Sequence, residues 1–273
     1  MTTPAGQIPA DENMLAMTIT ATDAVGNTSV LNEQVRVDTV VRNLARTGGD
    51  IAGDGIINAV EAQAGVTFAG TVEPNSAVVV RLSNGQQIVT NSGVSGTWSV
   101  TFAEGQLPSG DGNASVTVTA TDVAGNTASI TESFAYDTEA PGAPELTDIL
   151  RNAGAVSGVV AGVDDGELTF HQVAANGVAT DLTITGSAPV GGAELFLFGN
   201  GGVQDGSYLV IDATDDAGNN SSTLAIVNNT NTVTVDLHRA GLTEFDFTSI
   251  DLSFAPEARL TLSAADLQAL TGP

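Results

Sequence analysis

Residues Thr117 to Ala128 read TVTATDVAGNTA, and the aspartate Asp122 closes a run of alternating apolar residues, with Gly125 and Asn126 close behind. An aspartate in that position can serve as an acid–base catalyst, as a metal ligand, or as the residue that opens a turn by bonding the backbone two residues on. The motif occurs three times, as TITATDAVGNTS, TVTATDVAGNTA and VIDATDDAGNNS, with Asp23, Asp122 and Asp215 spaced 99 and 93 residues apart. A second acidic segment, DIAGDGIINAVE, runs from Asp50 to Glu61. Counted as a twelve-residue calcium loop it has Asp at positions 1 and 5, Gly at 6, Asn at 9 and Glu at 12. Position 3 is Ala52, however, and the flanks do not read as two long helices. A capping box, with Asn58 as N-cap and Glu61 as its partner, accounts for the same residues. It leaves Asp50, Asp54 and a second face of Glu61 for a hard cation.

Composition narrows the chemistry. The chain holds 32 carboxylates against seven basic residues, all arginine, for a net charge of −25. Such a surface repels phosphate backbones and anionic membranes, so nucleic acid and membrane insertion are excluded as partners, and cations are the natural counterparts. Without cysteine there are no disulfides or thiolate metal sites. His171 and His238 fall in separate strand-like segments without ligand spacing. Oxygen donors alone favour Ca²⁺ over zinc or copper. No apolar run approaches 18 residues, and MTTPAGQIPADENM lacks the basic and apolar regions of a signal peptide. GNGGVQDG lacks the lysine of a phosphate loop, and no G-x-S-x-G elbow occurs, so an enzyme is not expected.

The elements that must position the aspartates are strands. Val116, Val118 and Ala120 form one face of a strand with Thr117, Thr119 and Thr121 on the other, and D-x-x-G-N then closes a hairpin. The period is that of a β-sandwich domain. Strands are expected near 66–72, 77–82, 86–91, 96–102, 114–121 and 128–136, which with the single Trp98 point to an all-β, tandem immunoglobulin-like architecture. Residues 40–140 then form a complete domain, and 141–230 a divergent, glycine-rich one. Residues 231–273 form a β-rich extension ending in a short helix capped by Ser263 with Asp266. Residues 1–39 hold only the closing strand pair of an incomplete domain, which could not bury a core alone, so Met1 is expected to mark a fragment boundary.

The segments TVTATDVAGNTA, FAYDTEAP and GDGIINAVEAQAGVTFAGTVE resemble bacterial Ig-like repeats of giant type I-secreted RTX adhesins. The resemblance is specific over roughly residues 1–145 and thinner beyond. It implies a secreted, cell-surface extender built from many such domains, with Ca²⁺ at domain junctions stiffening the rod and a C-terminal export signal. Topology places the Asp122 turn at the leading end of its domain, opposite Asp38, and Asp54, Glu61 and Asp137 at the trailing end, facing Asp215. Carboxylates converging without basic residues repel one another unless a cation sits among them. Asp38, Asp54, Glu61, Asp122, Asp137 and Asp215 are therefore the candidate calcium ligands. The turn-forming role alone also accounts for the hairpin aspartates. The partners expected are calcium ions, the neighbouring Ig-like domains and a host or biofilm surface ligand, on a monomeric chain. The alternative is a divergent third domain that binds carbohydrate or protein, suggested by AELFLFGNGG and the residues after 228.

Overall fold

The computed structural model describes residues 8–228, 233–263, 265 and 266. The chain divides into two compact units, Met1–Asp137 and Thr138–Pro273. Unit 1 opens with a hairpin of β1 (Asn13–Thr22) and β2 (Thr28–Val37), paired in unbroken register from Asn13↔Val37 to Thr22↔Thr28. A sandwich follows, built from β3 (Ala45–Thr47), β4 (Ile56–Ile57), β5 (Val66–Thr71), β6 (Ala77–Leu82), β7 (Gln87–Asn91), β8 (Thr97–Phe102), β9 (Asp111–Thr121) and β10 (Thr127–Asp137). One sheet has the order β3-β5-β8 and the other β4-β10-β9-β6-β7.

Period-2 patterning produces these strands. β5 and β8 bury alternate residues, so Val66 and Phe68 meet Trp98, Val100 and Phe102 with the inward side chains of β6 and β9. Phe68 and Phe102 pack edge to face at 5.8 Å. The six expected strands form, with β9 beginning earlier, at Asp111; β3 and β4 are too short for alternation to reveal. Between β4 and β5 the helix α1 (Ala59–Ala64) starts on the expected capping box, Asn58 Oδ1 accepting from Glu61 N at 2.9 Å and Glu61 Oε2 from Asn58 N at 3.1 Å.

Unit 2 contains β11 (Glu145–Asn152), β12 (Ala155–Gly162), β13 (Glu167–Val173), β14 (Ala179–Asp181), β15 (Ile184–Val190), β16 (Ala193–Phe198), β17 (Tyr208–Thr214), β18 (Asn220–Ala225) and β19 (Phe247–Asp251). Its sheets run β11-β12-β16-β15 and β14-β13-β17-β18-β19. Residues 231–273, expected as an extension, supply β19, which pairs parallel with β18 inside this second sheet. Val235, Leu242, Phe247 and Ala255 pack on Tyr208, Val210, Leu224 and Ile226, on the face of β17 and β18 opposite Leu209 and Ile211. With both faces covered, Tyr208–Ile211 are buried without a break. The body of the expected terminal helix lies outside the described residues. Its cap is present, Ser263 N donating to Asp266 Oδ2 at 2.7 Å and Asp266 N to Ser263 Oγ at 3.2 Å. Among the described residues no helix is long and apolar enough to cross a membrane.

Candidate metal centre

The three D-x-x-G-N loops share one geometry. In each, the aspartate N–H donates to the asparagine carbonyl at 3.0–3.1 Å, and Gly26, Gly125 and Gly218 take φ of 92°, 92° and 85° to turn the chain. The aspartate Oδ1 accepts from the asparagine N–H at 2.8–2.9 Å, and Oδ2 from the asparagine carboxamide at 2.7–2.9 Å. A five-residue loop is thus closed on its own carboxylate. Burial opposes the charge on Asp122, but bonds from the Asn126 side chain and from the Asn126, Ala124 and Gly125 amides outweigh it and hold the carboxyl below its ordinary pKa. Asp122 is buried and ionised.

Asp122 does not stand alone. Asp38, just past β2, and Glu73, between β5 and β6, bring carboxylate oxygens to within 4.8 Å of one another and of Asp122. Asp38 Oδ1 accepts from Asn126 Nδ2 at 3.3 Å, and Arg36 Nη2 lies 3.7 Å from Asp38 Oδ2. Glu73 Oε1 is fixed by the Arg42 N–H at 2.6 Å, and the Glu73 N–H donates to Arg42 O at 3.1 Å. Two ionised carboxylates whose oxygens lie within 4.8 Å repel by roughly 3 kcal/mol or more at an effective dielectric near 20. Oxygens gathered within that limit are close enough for one Ca²⁺, with ligands at roughly 2.3–2.6 Å, to draw all three together by small side-chain adjustments. The donor set of three carboxylates is hard and oxygen-only, and it fits Ca²⁺.

The structure therefore brings together Asp38 and Asp122 of the expected ligands and adds Glu73. Among the described residues this is the one group of three or more potential metal-ligating side chains drawn so close. Asp54 is exposed and accepts from Ile56 N at 2.9 Å, and Glu61 serves the capping box. Asp137 ends β10, opposite Asp111. Asp215 is buried in its own hairpin in unit 2, held by Ala217 N at 2.9 Å and by Asn219. Glu73 carries no motif. The signal that could have found it is its place at a strand end, just before the turn-forming Pro74-Asn75.

One other polar array occurs in unit 2. His171 Nδ1 lies 2.9 Å from Asp181 Oδ1, its Nε2 lies 3.2 Å from Asp212 Oδ2, and Ser222 Oγ donates to Asp212. The serine bonds a carboxylate rather than the imidazole, so the order differs from that of a nucleophilic triad. His238, expected on a strand, sits exposed in a turn.

Residues 42–138 match the bacterial Ig-like domain family. The Ig-like domain takes in β3 to β10 and two of the three clustered carboxylates, Glu73 and Asp122, while Asp38 precedes it. Among solved structures, the chain is similar to a Ca²⁺-stabilised adhesin that helps an Antarctic bacterium reach out and bind ice, at 27% identity and a TM-score of 0.43, covering 76% of this chain and 54% of that one. It is also similar to a 1.5-MDa bacterial ice-binding adhesin (22% identity, TM-score 0.42, 76% of this chain and 70% of that one). A tetra-tandem repeat from the extending region of a large adhesion protein follows (21% identity, TM-score 0.31, 84% and 60%). The chain spans about half the length of the first of these structures. No curated protein matches it.

Proposed function

We propose that the chain is a structural extender of a large, secreted bacterial surface adhesin, without catalytic activity, in which Ca²⁺ fixes successive domains in one orientation. The observation that carries this reading is the convergence of Asp38, Glu73 and Asp122 where the β1–β2 hairpin leads into the Ig-like domain. Asp38 belongs to the chain leaving the hairpin, and Asp122 and Glu73 to the domain it enters. A cation shared among them ties one to the other and removes their mutual repulsion. The Ig-like family match, the threefold hairpin and the resemblance of residues 1–145 to RTX adhesin repeats support the same reading. Asp54, Glu61, Asp137 and Asp215 remain proposed ligands of further sites.

Calorimetric titration of chelator-treated protein with CaCl₂ tests the proposal. Binding heat and a rise in melting temperature are expected. At tenfold excess over Kd the stabilisation is about 1.4 kcal/mol. A chain that takes up no calcium and melts at the same temperature with and without it overturns the proposal.

A second reading, that unit 2 binds a carbohydrate or protein, has its own observation. Two adjoining clefts of about 490 and 620 Å³ share Gly162, Val163, Gly192 and Ala193, and Phe196 lines one of them. A glycan array separates the two readings, because an extender gives no specific hits.

A further inference from the structure

One arginine reaches the carboxylate cluster. Arg36 and Asp38 stand two residues apart in extended chain, so their side chains leave the backbone on the same side. Arg36 Nη2 lies 3.7 Å from Asp38 Oδ2 and is hydrogen-bonded to Glu12 Oε1. Glu12 precedes β1 and Asp38 follows β2, and the first pair of the hairpin, Asn13↔Val37, brings the two acids alongside one another. The guanidinium is thus held between a bonded carboxylate, Glu12, and a second one just beyond hydrogen-bond range. The Asp38 side chain is 9% exposed and that of Arg36 58%, so the acid is fixed while the cation is free to shift. Among the described residues no other basic side chain is ion-paired to Asp38, Glu73 or Asp122.

Arg42 supplies the contrast. Its backbone N–H holds Glu73, but its guanidinium is bonded to Asp11, with Nε 3.7 Å from Glu12 Oε2. Asp11, Arg42, Glu12, Arg36 and Asp38 therefore form a row of alternating charge whose last member belongs to the cluster. Asp38, Glu73 and Asp122 carry three negative charges, and Arg36 reduces the total to two, which a divalent cation balances.

We infer that Arg36 is the resident counter-ion of this cluster. It is shared between Asp38 and Glu12 in calcium-free protein and left to Glu12 alone once a metal ion takes Asp38. Arg36 thereby lowers the affinity of the site and favours divalent over trivalent ions, because it repels the bound ion in proportion to that ion's charge. The inference rests on the calcium reading of the cluster and adds its regulation: occupancy becomes sensitive to salt, which screens an exposed guanidinium.

Calorimetric titrations of the intact chain with CaCl₂ and with LaCl₃ test it. Arg36→Gln should tighten calcium binding about fivefold at low salt and lanthanum binding about tenfold, and both gains should shrink as NaCl is raised. Arg36→Lys, which keeps the charge, should stay within about twofold of the wild type. Glu12→Gln releases the guanidinium to Asp38 and should weaken calcium binding about threefold. Arg42→Gln removes the same charge from a side chain that does not reach the cluster and should have less effect than Arg36→Gln. In chelator the Arg36→Gln protein should melt at a lower temperature than the wild type, and calcium should raise its melting temperature by more. A wild type that binds neither ion overturns the calcium reading and this inference with it. A wild type that binds calcium while Arg36→Gln binds it equally or more weakly overturns the inference alone, as does an equal gain from Arg42→Gln. Opposite effects of Arg36→Gln and Glu12→Gln are required, since damage to the hairpin would weaken binding in both.

Discussion

Asn126 Nδ2 lies 3.3 Å from Asp38 Oδ1, so the hairpin loop of the Ig-like domain touches the strand end that leads into it across 88 residues of chain. The same nitrogen donates to Asp122 Oδ2 at 2.8 Å. One carboxamide therefore sits against two carboxylates and holds Asp122 in place beside Asp38. Each carboxylate oxygen accepts one bond from it and retains a lone pair for a cation.

Glu73→Gln separates metal binding from folding. The Gln side-chain oxygen can still accept from the Arg42 N–H, which Glu73 Oε1 meets at 2.6 Å, so the local backbone keeps its partner. The variant loses one of three negative charges facing the cation. Calcium affinity should fall by about tenfold or more, equivalent to about 1.4 kcal/mol. The melting temperature without calcium should change little or rise slightly, as repulsion is relieved. Titration calorimetry on both proteins checks the first expectation and thermal melting in chelator the second.

Acid should weaken unit 1 through Asp122. Its folded pKa lies below the unfolded value of about 3.9, so the stabilisation is present above that value and is lost as pH falls through the folded pKa. Melting temperature should be level above about pH 5 and drop below about pH 4. Asn126→Ala removes the side-chain bond to Asp122 and should lower the plateau by about 1 kcal/mol while making the acid limb shallower. A series of melts at fixed ionic strength reads both effects.

The hairpins were legible because their chemistry is local. Asp opens the loop, Gly takes the positive φ, and alternation on either side declares the strands. The carboxylate cluster was only partly legible. Asp38 and Asp122 follow from the order of strands, whereas Glu73 comes from a third strand end and reads locally as an ordinary turn neighbour. Asn126 recurs in every copy as Asn27 and Asn219, but its carboxamide bond needs the folded loop. The sequence after residue 228 was harder still. Runs such as YLVI at 208–211 and LAIV at 224–227 show only that both faces are buried, not that residues 233–263 supply the second cover.

Unit 2 should respond to pH in the opposite direction. Hydrogen bonding to Asp212 raises the His171 pKa, burial opposes it, and Asp181 adds to the rise. The imidazolium joins β13 to β14 and β17, and Phe245 packs against its ring at a centroid distance of 5.0 Å. A raised folded pKa means stability fully present below the unfolded value of about 6.5 and lost as pH rises through the folded one. The melting temperature of this unit should fall between about pH 6 and pH 8, and His171→Gln should flatten that slope. Calorimetric scans across the interval decide it, and a wild-type profile that rises with pH would contradict the assignment.

Gly70→Ala should be the most damaging single methyl in the Ig-like domain. Gly70 pairs with Trp98 across β5 and β8, and the indole lies over the glycine, its Nε1 donating to Thr71 O at 3.4 Å. A Cβ built at residue 70 would lie 2.2 Å from Ala45 O and 2.4 Å from Trp98 Cζ2. Neither neighbour can yield cheaply. Ala45 O is backbone in β3, and Trp98 is 3% exposed within the core. Relief requires β3 to detach or the indole to leave its site, at a cost of about 3 kcal/mol or more. Gly125→Ala provides the comparison, because a Cβ there meets nothing within 4 Å and only the positive φ opposes it. That change should cost about 1 kcal/mol. Urea unfolding of the two variants, followed by Trp98 fluorescence, should place Gly70→Ala well below Gly125→Ala in midpoint.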